Sequence, residues 1–162
     1  MTSKRLTPST FLATVFGTGF IPFAPGTMGT IFAVAVYLLL PDSLFNGNGW
    51  YIFGSALLLL SAFSVWISSR AERILGHDAP SIVIDEVCGY FLTVMLLPHS
   101  PLLAVYAFVM FRAFDIAKPF PINKSQRLPR GWGIVVDDLL AGLYANLVIQ
   151  IMLKIVPKFF GQ

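Results

Sequence analysis

The chain has 162 residues, of which 56% are hydrophobic and only 12% are charged. Because soluble domains carry roughly 25% charged residues, this composition argues against an ordinary soluble protein and favours one membrane unit over residues 1–162. The net charge of +3 is too small to predict a nucleic-acid partner, and the single cysteine cannot form an internal disulfide.

The first unusual stretch is FGTGFIPFAPGTMGT, residues 16–30, which holds four glycines and two prolines inside an apolar region. Lys4 and Arg5 precede it as in a signal peptide, but prolines break the run and no cleavage site follows, so we expect none. Two interpretations stay open. The stretch is either a packed turn or a phosphate cradle at the start of a helix.

Four apolar segments follow, rich in Leu, Ala, Phe and Val and without the alternation of strands. Residues 50–69 are twenty residues without a charge, enough to cross the roughly 30 Å hydrocarbon core of a bilayer. The others are 30–40, 90–111 (broken at 98–101 into two short helices) and 139–156. The sequence therefore predicts an all-α, multi-helix integral membrane protein with about four apolar segments arranged as hairpins.

Basic residues are concentrated in the N-terminal segment and in the connections 70–90 and 112–138. The turns 41–49 and 97–101 contain no lysine or arginine. Because cytoplasmic loops carry the excess of basic residues, the connections and the opening loop are predicted to face the cytoplasm. Nine of the eleven basic residues lie on that side: Lys4, Arg5, Arg70, Arg73, Arg112, Lys118, Lys124, Arg127 and Arg130.

Seven of the eight acidic residues fall in the same cytoplasmic connections. Glu72 and Asp78 are explained equally well as solvated loop residues. The other five are flanked closely by apolar residues, where a carboxylate is costly to desolvate unless it has a partner. These five are Asp85, Glu86, Asp115, Asp137 and Asp138.

Two acid pairs share a pattern, IVIDEVCGY at 82–90 and IVVDDLLAGLY at 134–144. Each places a small residue, Gly89 or Ala141, four residues after its first acid and on the same helical face. A small residue there would let two helices approach closely. Two such helices, with Asp115 from a third, predict a hard-cation site, and Mg²⁺ favours oxygen ligands of this kind.

Two cations flank Asp115. Arg112 lies three residues before it and can share its helical face. Pro119 disfavours helix at Lys118, so the chain is predicted to leave its helix near the acids. Cations beside a carboxylate–metal site would bind a phosphate, which favours the cradle interpretation of the opening loop. In the alternative, these cations only neutralise buried acids.

Residues for other phosphate chemistries are missing. Cys88 has no arginine six residues on, as a cysteine phosphatase requires, and is better explained as a small apolar residue at a helix interface. His99 lies in a distal turn and His77 in a polar connection, where only a minor role stays open. No nucleotide P-loop and no Asp-x-Asp pair is present. What remains is a metal-activated water attacking a phosphate.

Four sequence blocks, taken in order, resemble the signature blocks of the phosphatidylglycerophosphatase A family: GTGFIPFAPGTMGT, IVIDEVCGY, FRAFDIAKPFPI and GWGIVVDDLLAG. The resemblance covers about residues 17–146. It implies a magnesium-dependent, multi-pass phosphatase of the bacterial inner membrane, with its active site at the cytoplasmic boundary. The implied substrate is the phospholipid phosphatidylglycerophosphate, hydrolysed to phosphatidylglycerol and phosphate. The implied fold is a central helix surrounded by others, with no obligate protein partner.

The same resemblance assigns roles to individual residues. The metal and catalytic acids become Asp85, Glu86, Asp115, Asp137 and Asp138, with all but Asp115 as Mg²⁺ ligands. The phosphate partners become Arg112 and Lys118, and the candidate donors from the loop become Thr18, Thr27 and Thr30. Which carboxylate is the general base, and whether one or two ions bind, stays open.

Two other functions stay open as well. A phosphatidyltransferase of the CDP-alcohol type also uses clustered aspartates and a divalent metal, but its Asp-Gly opening and its widely spaced Asp-x-x-x-Asp are not found in the chain. A small transporter or structural membrane protein would need acids in the middle of its spans rather than at their cytoplasmic ends.

Overall fold

A computed structural model describes residues 6–76 and 79–156. Within these ranges the chain forms seven α-helices and no strand, which confirms the all-α prediction. The helices are α1 (Pro8–Ala13), α2 (Pro25–Leu39), α3 (Gly49–Leu75), α4 (Ile84–Val94), α5 (Pro101–Ala117), α6 (Ile122–Ser125) and α7 (Gly131–Ile155). The sequence also drew attention to Lys4, Arg5, His77, Asp78 and Lys158, which lie outside the described residues.

Local signals in the sequence set the ends of α5. The Ser100 hydroxyl accepts a hydrogen bond from the backbone N–H of Leu103 at 3.2 Å, and Pro101 occupies the first helical position, where its missing N–H costs nothing. At the other end, Lys118 adopts a left-handed conformation with φ 40°. This confirms the predicted exit of the chain from its helix beside Pro119.

The centre of the fold is a pair of helices, α4 and α7. Helix α4 packs most extensively on α7 and also contacts α2, α3 and α5, whereas α7 contacts α3, α5 and α6. The resemblance implied a central helix surrounded by others, and α4, with α2, α3, α5 and α7 around it, has that position. Helices α4 and α7 both carry small residues that permit a close approach, and each buries its own face against the other.

The predicted break within 90–111 is confirmed, since α4 ends at Val94 and α5 begins at Pro101. The carbonyl end of the short helix α4 is buried and needs donors. Asn146 of α7 supplies them, because its Nδ2 donates to the carbonyls of Thr93 (2.8 Å) and Met95 (2.6 Å). Gln150 in turn donates to Oδ1 of Asn146 at 2.7 Å.

The five acids with apolar neighbours lie on helices, as the helical spacing of the two acid pairs predicted, so the connections 70–90 and 112–138 are shorter than their charges indicated. Glu72 is within α3, Asp85 and Glu86 within α4, Asp115 within α5, and Asp137 and Asp138 within α7. The helices extend beyond the apolar runs because a few charged residues near a helix end do not stop a helix. The sequence segments 30–40 and 139–156 are accordingly only parts of α2 and α7.

Two helices, α3 and α7, are long and apolar enough to cross a membrane, and α2 is a shorter apolar helix. At the end of the fold away from the acids, the turns 41–49 and 97–101 are joined by His99. Its Nδ1 lies 2.5 Å from the Asp42 carboxylate, and its ring stacks on Phe45 at 4.4 Å. His99 is therefore a packing residue of the distal turns.

Candidate active site

The site is built where α4 and α7 cross with their backbones in contact. A Cβ atom added to Gly142 would overlap the carbonyl oxygen of Gly89, and one added to Gly89 would lie 2.7 Å from the carbonyl oxygen of Asp138. Only glycine permits this approach. The sequence correctly identified Gly89, but its partner at the contact is Gly142 rather than the neighbouring Ala141.

The crossing brings three carboxylates together, one helical turn before the glycines. Oxygen atoms of Asp85, Glu86 and Asp138 all lie within 4.8 Å of one another. We call these three residues the acid triad. All three side chains are buried, with residue exposures of 7%, 9% and 3%. Three like charges at this spacing repel one another unless a cation or protons neutralise them.

The acid triad has the donor set of a hard-cation site. One buried oxygen of each residue (Oδ1 of Asp85, Oε2 of Glu86 and Oδ2 of Asp138) lacks a hydrogen-bond partner within the described part of the chain. Buried polar atoms in proteins are nearly always partnered, so these oxygens require a ligand. Carboxylate oxygens are the ligands that Mg²⁺ prefers. The residues therefore fit the predicted metal.

Burial strongly perturbs the pKa values of the two acids of α4. Burial raises the pKa of Asp85 well above its ordinary value, and the charges of Glu86 and Asp138 raise it further. Burial also raises the pKa of Glu86 to about 7, although a hydrogen bond with Asp85 lowers it. Without a cation Glu86 is therefore partly protonated near neutral pH, and a bound cation would displace that proton.

Asp137 and Asp115 have cationic partners instead. Lys118 donates a hydrogen bond to Asp137 at 2.5 Å and lies 3.8 Å from Asp115, whose other oxygen accepts from Arg112 at 2.7 Å. Burial by itself would lower the pKa of Lys118, but Asp137, Asp115 and Asp138 raise it above its ordinary value. The ion pair of Arg112 and Asp115 confirms their predicted shared face. Asp137, predicted as a metal ligand, lies outside the acid triad because its carboxylate binds Lys118.

These groups line a single pocket of about 270 Å³. Its walls come from α2, α4, α5 and α7 and from the segment before α4. The charged lining consists of Asp85, Glu86, Arg112, Asp115, Lys118, Asp137 and Asp138. A pocket that presents carboxylates and two cations to the same space can hold a cation and an anion together, as a metal-bound phosphate requires.

The opening loop reaches this pocket through its backbone. Pro25 and Gly26, the first residues of α2, line the pocket. A Cβ atom on Gly26 would collide with the Glu86 carboxylate and come within 3.2 Å of Nη1 of Arg112. The first N–H groups of an α-helix have no partner within the helix, and they favour an anion. This contact was not predicted, although the PG dipeptide marks both the helix start and the close approach.

The three threonines of the loop do not line the pocket. The Thr18 hydroxyl donates to the carbonyls of Thr14 and Val15, and the buried Thr30 hydroxyl donates to the Gly26 carbonyl at 2.9 Å. Thr27 is half-buried. Their predicted role as phosphate donors has no support from these positions. Cys88 is fully buried, as expected of a small residue at a helix interface.

Known proteins resemble the chain over most of its length. The family model described as phosphatidylglycerophosphatase A matches residues 11–153. Phosphatidylglycerophosphatase A of Haemophilus influenzae is 37% identical over 147 residues, which cover 89% of this chain and 88% of that protein. Phosphatidylglycerophosphatase A of Escherichia coli is 36% identical over 143 residues, covering 86% of this chain and 80% of that protein.

A third relative carries a different designation. A protein of Bacteroides thetaiotaomicron, named provisionally as a phosphatidylinositol-3-phosphatase, is 36% identical over 148 residues, covering 86% of this chain and 90% of that protein. No solved structure matches the chain significantly. The names of the relatives agree on a phosphorylated phospholipid, and they differ in its headgroup.

Proposed function

The chain belongs to the phosphatidylglycerophosphatase A family, and from that membership we propose that it hydrolyses phosphatidylglycerophosphate to phosphatidylglycerol and inorganic phosphate. The observation that carries the proposal is the shared pocket. It places the acid triad beside Arg112 and Lys118, so that a metal ligand set and two phosphate-binding cations face the same space. A phosphomonoester with a divalent cation needs both.

The residues of the pocket have separable tasks. Arg112 and Lys118 neutralise and orient the phosphate, and the start of α2 adds N–H groups and a favourable helix dipole. The acid triad would hold Mg²⁺, which when bound supplies Lewis-acid chemistry that favours attack of water on phosphorus. In the reaction, the oxygen of water bonds to phosphorus, the phosphorus–oxygen ester bond breaks, and the released alcohol takes up a proton.

Asp115 and Asp137 position the cations rather than bind the metal. Each shares a hydrogen bond with one of them, Asp115 with Arg112 and Asp137 with Lys118. These ion pairs fix the cations at the wall of the pocket while leaving donors for a phosphate, because a guanidinium has five N–H donors and an ammonium three.

The protein is embedded in the bacterial inner membrane in this proposal, as a multi-pass protein with its site facing the cytoplasm. The support is the exposed apolar surface of α3, since only 28% of the residues in its 18-residue apolar stretch are buried. The core helix of a soluble protein would be mostly buried, whereas a spanning helix exposes apolar side chains to lipid. The basic residues Arg70, Arg73, Arg112 and Lys118 lie at the same end of the fold as the pocket, as the positive-inside rule requires.

One assay tests the function. Purified protein in detergent is incubated with phosphatidylglycerophosphate, with and without Mg²⁺, and released phosphate is measured. We expect release that depends on Mg²⁺ and is lost in Asp138→Asn. Parallel reactions with phosphatidylinositol 3-phosphate compare the two headgroups named among the relatives. Release of cytidine monophosphate from CDP-diacylglycerol, in place of phosphate release, would identify a phosphatidyltransferase and contradict the proposal. Absence of both reactions would leave the transporter alternative.

A further inference from the structure

Exposed apolar side chains lie in the wall of the pocket and in the chain segments that adjoin it. Ile116 lines the pocket itself and is 72% exposed. Phe23 lies two residues before Pro25 of the pocket wall and is 79% exposed, and Phe120 lies two residues after Lys118 and is 67% exposed. We call Phe23, Ile116 and Phe120 the apolar rim.

The positions of these residues make their exposure unusual. Exposed leucines in the middle of α3 are explained by a helix that crosses a bilayer, but Phe23 and Phe120 lie in connections, outside the helices. Both connections are at the charged end of the fold, where solvated loops are polar. Large apolar side chains exposed beside a charged pocket indicate contact with an apolar partner.

The opening loop contributes to this surface by its side chains. Its threonine hydroxyls at 18 and 30 bond to nearby carbonyls, whereas all four residues 21–24, Ile-Pro-Phe-Ala, are exposed. The backbone of the loop thus contacts Glu86 at Gly26, and the apolar side chains of residues 21–24 are exposed at the surface. A turn that served packing alone would bury these side chains.

We propose that the apolar rim lies in the lipid bilayer and binds the acyl chains and glycerol-ester region of the phospholipid whose phosphomonoester occupies the pocket. This inference rests on the proposed function and identifies the side from which the lipid enters, between the start of α2 and the end of α5. Ile116 connects the two regions because it belongs both to the rim and to the pocket wall.

Charge and polarity around the rim match one phospholipid molecule. Lys118 and Arg112 lie inside the pocket, where the terminal phosphate would bind. The ammonium of Lys124 lies over the ring of Phe120, with Nζ 4.8 Å from the ring centroid. A basic residue beside an exposed aromatic side chain is typical of the bilayer interface. The rim therefore has an interfacial cation beside its apolar side chains, and the pocket has the cations for the phosphate.

The depth of the rim in the bilayer can be measured without any activity. Cys88 is the only cysteine and is buried, so a spin label can be attached to a new cysteine in Phe23→Cys. In vesicles of phosphatidylethanolamine and phosphatidylglycerol, we expect the label to be relaxed by oxygen and protected from a water-soluble nickel complex. Leu58→Cys, on the exposed face of α3, is the control for the bilayer interior, and Asn123→Cys, an exposed polar position of α6, is the control for water.

Kinetics test the contact with substrate. In Phe23→Ser and Phe120→Ser, we expect KM for a long-chain substrate to rise roughly tenfold more than KM for a short-chain, water-soluble analogue, since each variant removes one exposed phenyl group that a bound acyl chain would cover. The kcat for the long-chain substrate should change little. Phe23→Leu should restore the long-chain KM, and Leu58→Ser, which removes an exposed apolar side chain away from the pocket, should leave it unchanged.

The outcomes are distinguishable. The label at position 23 could show the same exposure to the nickel complex as the label at 123, while the label at 58 shows that it lies in the bilayer. This result would overturn the proposed bilayer location of the apolar rim and leave the proposed function standing. Equal increases in KM for long and short substrates would also overturn it, because they would indicate a distorted pocket. If the wild-type protein releases no phosphate from either substrate, the proposed function fails, whatever the label at position 23 reports about depth.

Discussion

Lys118 donates a 2.5 Å hydrogen bond to Asp137, nineteen residues away on another helix. This contact separates the two adjacent aspartates of α7. Asp137 is neutralised by a lysine, whereas Asp138 faces Asp85 and Glu86 in the acid triad. Two residues that look alike in the sequence therefore have different tasks, and their variants should fail in different ways.

Asp138→Asn removes one charge from the acid triad with little change in volume. We expect it to lower turnover by orders of magnitude and to weaken Mg²⁺ binding, since a metal ligand is lost. Asp85→Asn should behave in the same way. Phosphate release and Mg²⁺ affinity, measured by calorimetry, check both effects. Glu72→Gln, outside the pocket, is the control, and near-normal turnover of both asparagine variants at saturating Mg²⁺ would refute the metal site.

Asp137→Asn should instead act on phosphate binding. The variant removes the carboxylate charge that positions Lys118 at the pocket wall. We therefore expect KM to rise by roughly tenfold, about the effect of one charged hydrogen bond, while Mg²⁺ affinity stays near that of the wild type. Initial rates over a range of substrate concentrations measure this. A large loss of Mg²⁺ affinity in Asp137→Asn would place Asp137 among the metal ligands after all.

Gly26→Ala tests the contact between the opening loop and the acids. The new methyl group would collide with the Glu86 carboxylate, so we expect both turnover and Mg²⁺ affinity to fall, the latter by roughly tenfold, as when a group that orients a metal ligand is changed. Thr27→Val should have a small effect, because Thr27 does not line the pocket. Gly54→Ala, where the added Cβ would lie 3.1 Å from the flexible end of Met95, is the matched glycine control. Unchanged Mg²⁺ affinity in Gly26→Ala would show that the loop does not touch the metal site.

The pKa of Glu86 predicts a pH dependence of metal binding. Because burial raises this pKa to about 7, Mg²⁺ must displace a proton at lower pH, and its affinity should fall as the pH drops below about 7. The stability of the metal-free protein should follow the opposite direction. A raised pKa stabilises the fold fully below the unfolded value near 4.5, and this contribution is lost as the pH rises through about 7. Thermal unfolding in detergent, with and without Mg²⁺, measures both trends, and Mg²⁺ affinity independent of pH from 5 to 8 would contradict them.

Asn146→Leu should destabilise the carbonyl end of α4. It leaves the Thr93 and Met95 carbonyls without their donor, and we expect a loss of about 2 kcal/mol or more in the free energy of unfolding. Gln150→Leu removes only the supporting hydrogen bond to Asn146 and should cost about 1 kcal/mol. Equal losses in the two variants would show that Asn146 does not act through those carbonyls.

The orientation in the membrane can be tested by cysteine labelling. With Cys88 buried, an impermeant thiol reagent applied to whole cells should label Asn48→Cys in the distal turn and spare Lys124→Cys in α6, because the basic residues indicate a cytoplasmic location for position 124. Permeabilised cells, in which both positions should react, provide the control. Labelling of position 124 in intact cells would reverse the topology.

Hydropathy and proline positions were enough to predict the all-α class, the break before Pro101 and the end of α5. They could not predict where α4 and α7 begin, because a hydropathy pattern locates apolar runs rather than the hydrogen-bonded ends of helices. The five acids were identified as a group from their apolar neighbours. Their division into an acid triad and two ion pairs required the side-chain geometry.

The sequence repeat around the two acid pairs was aligned one residue out of register. Aligning the first acid of each pair related Gly89 to Ala141. The structure relates Asp85 to Asp138, each followed four residues later by a glycine, Gly89 or Gly142. The repeated pattern Asp-x-x-x-Gly thus marks both a triad carboxylate and the backbone contact one helical turn away.

That backbone contact determines which positions of the chain can vary. The acid triad keeps its spacing because α4 and α7 touch at Gly89 and Gly142, and α2 approaches Glu86 at Gly26. Glycine-to-alanine is normally a conservative substitution. At these three positions, however, the added methyl group would push helices apart and move the carboxylates. A deep mutational scan scored for growth would then rank three inert, uncharged glycines alongside the aspartates. A catalogue of loss-of-function alleles would consequently contain, beside the acidic residues, glycine positions that carry no reactive group.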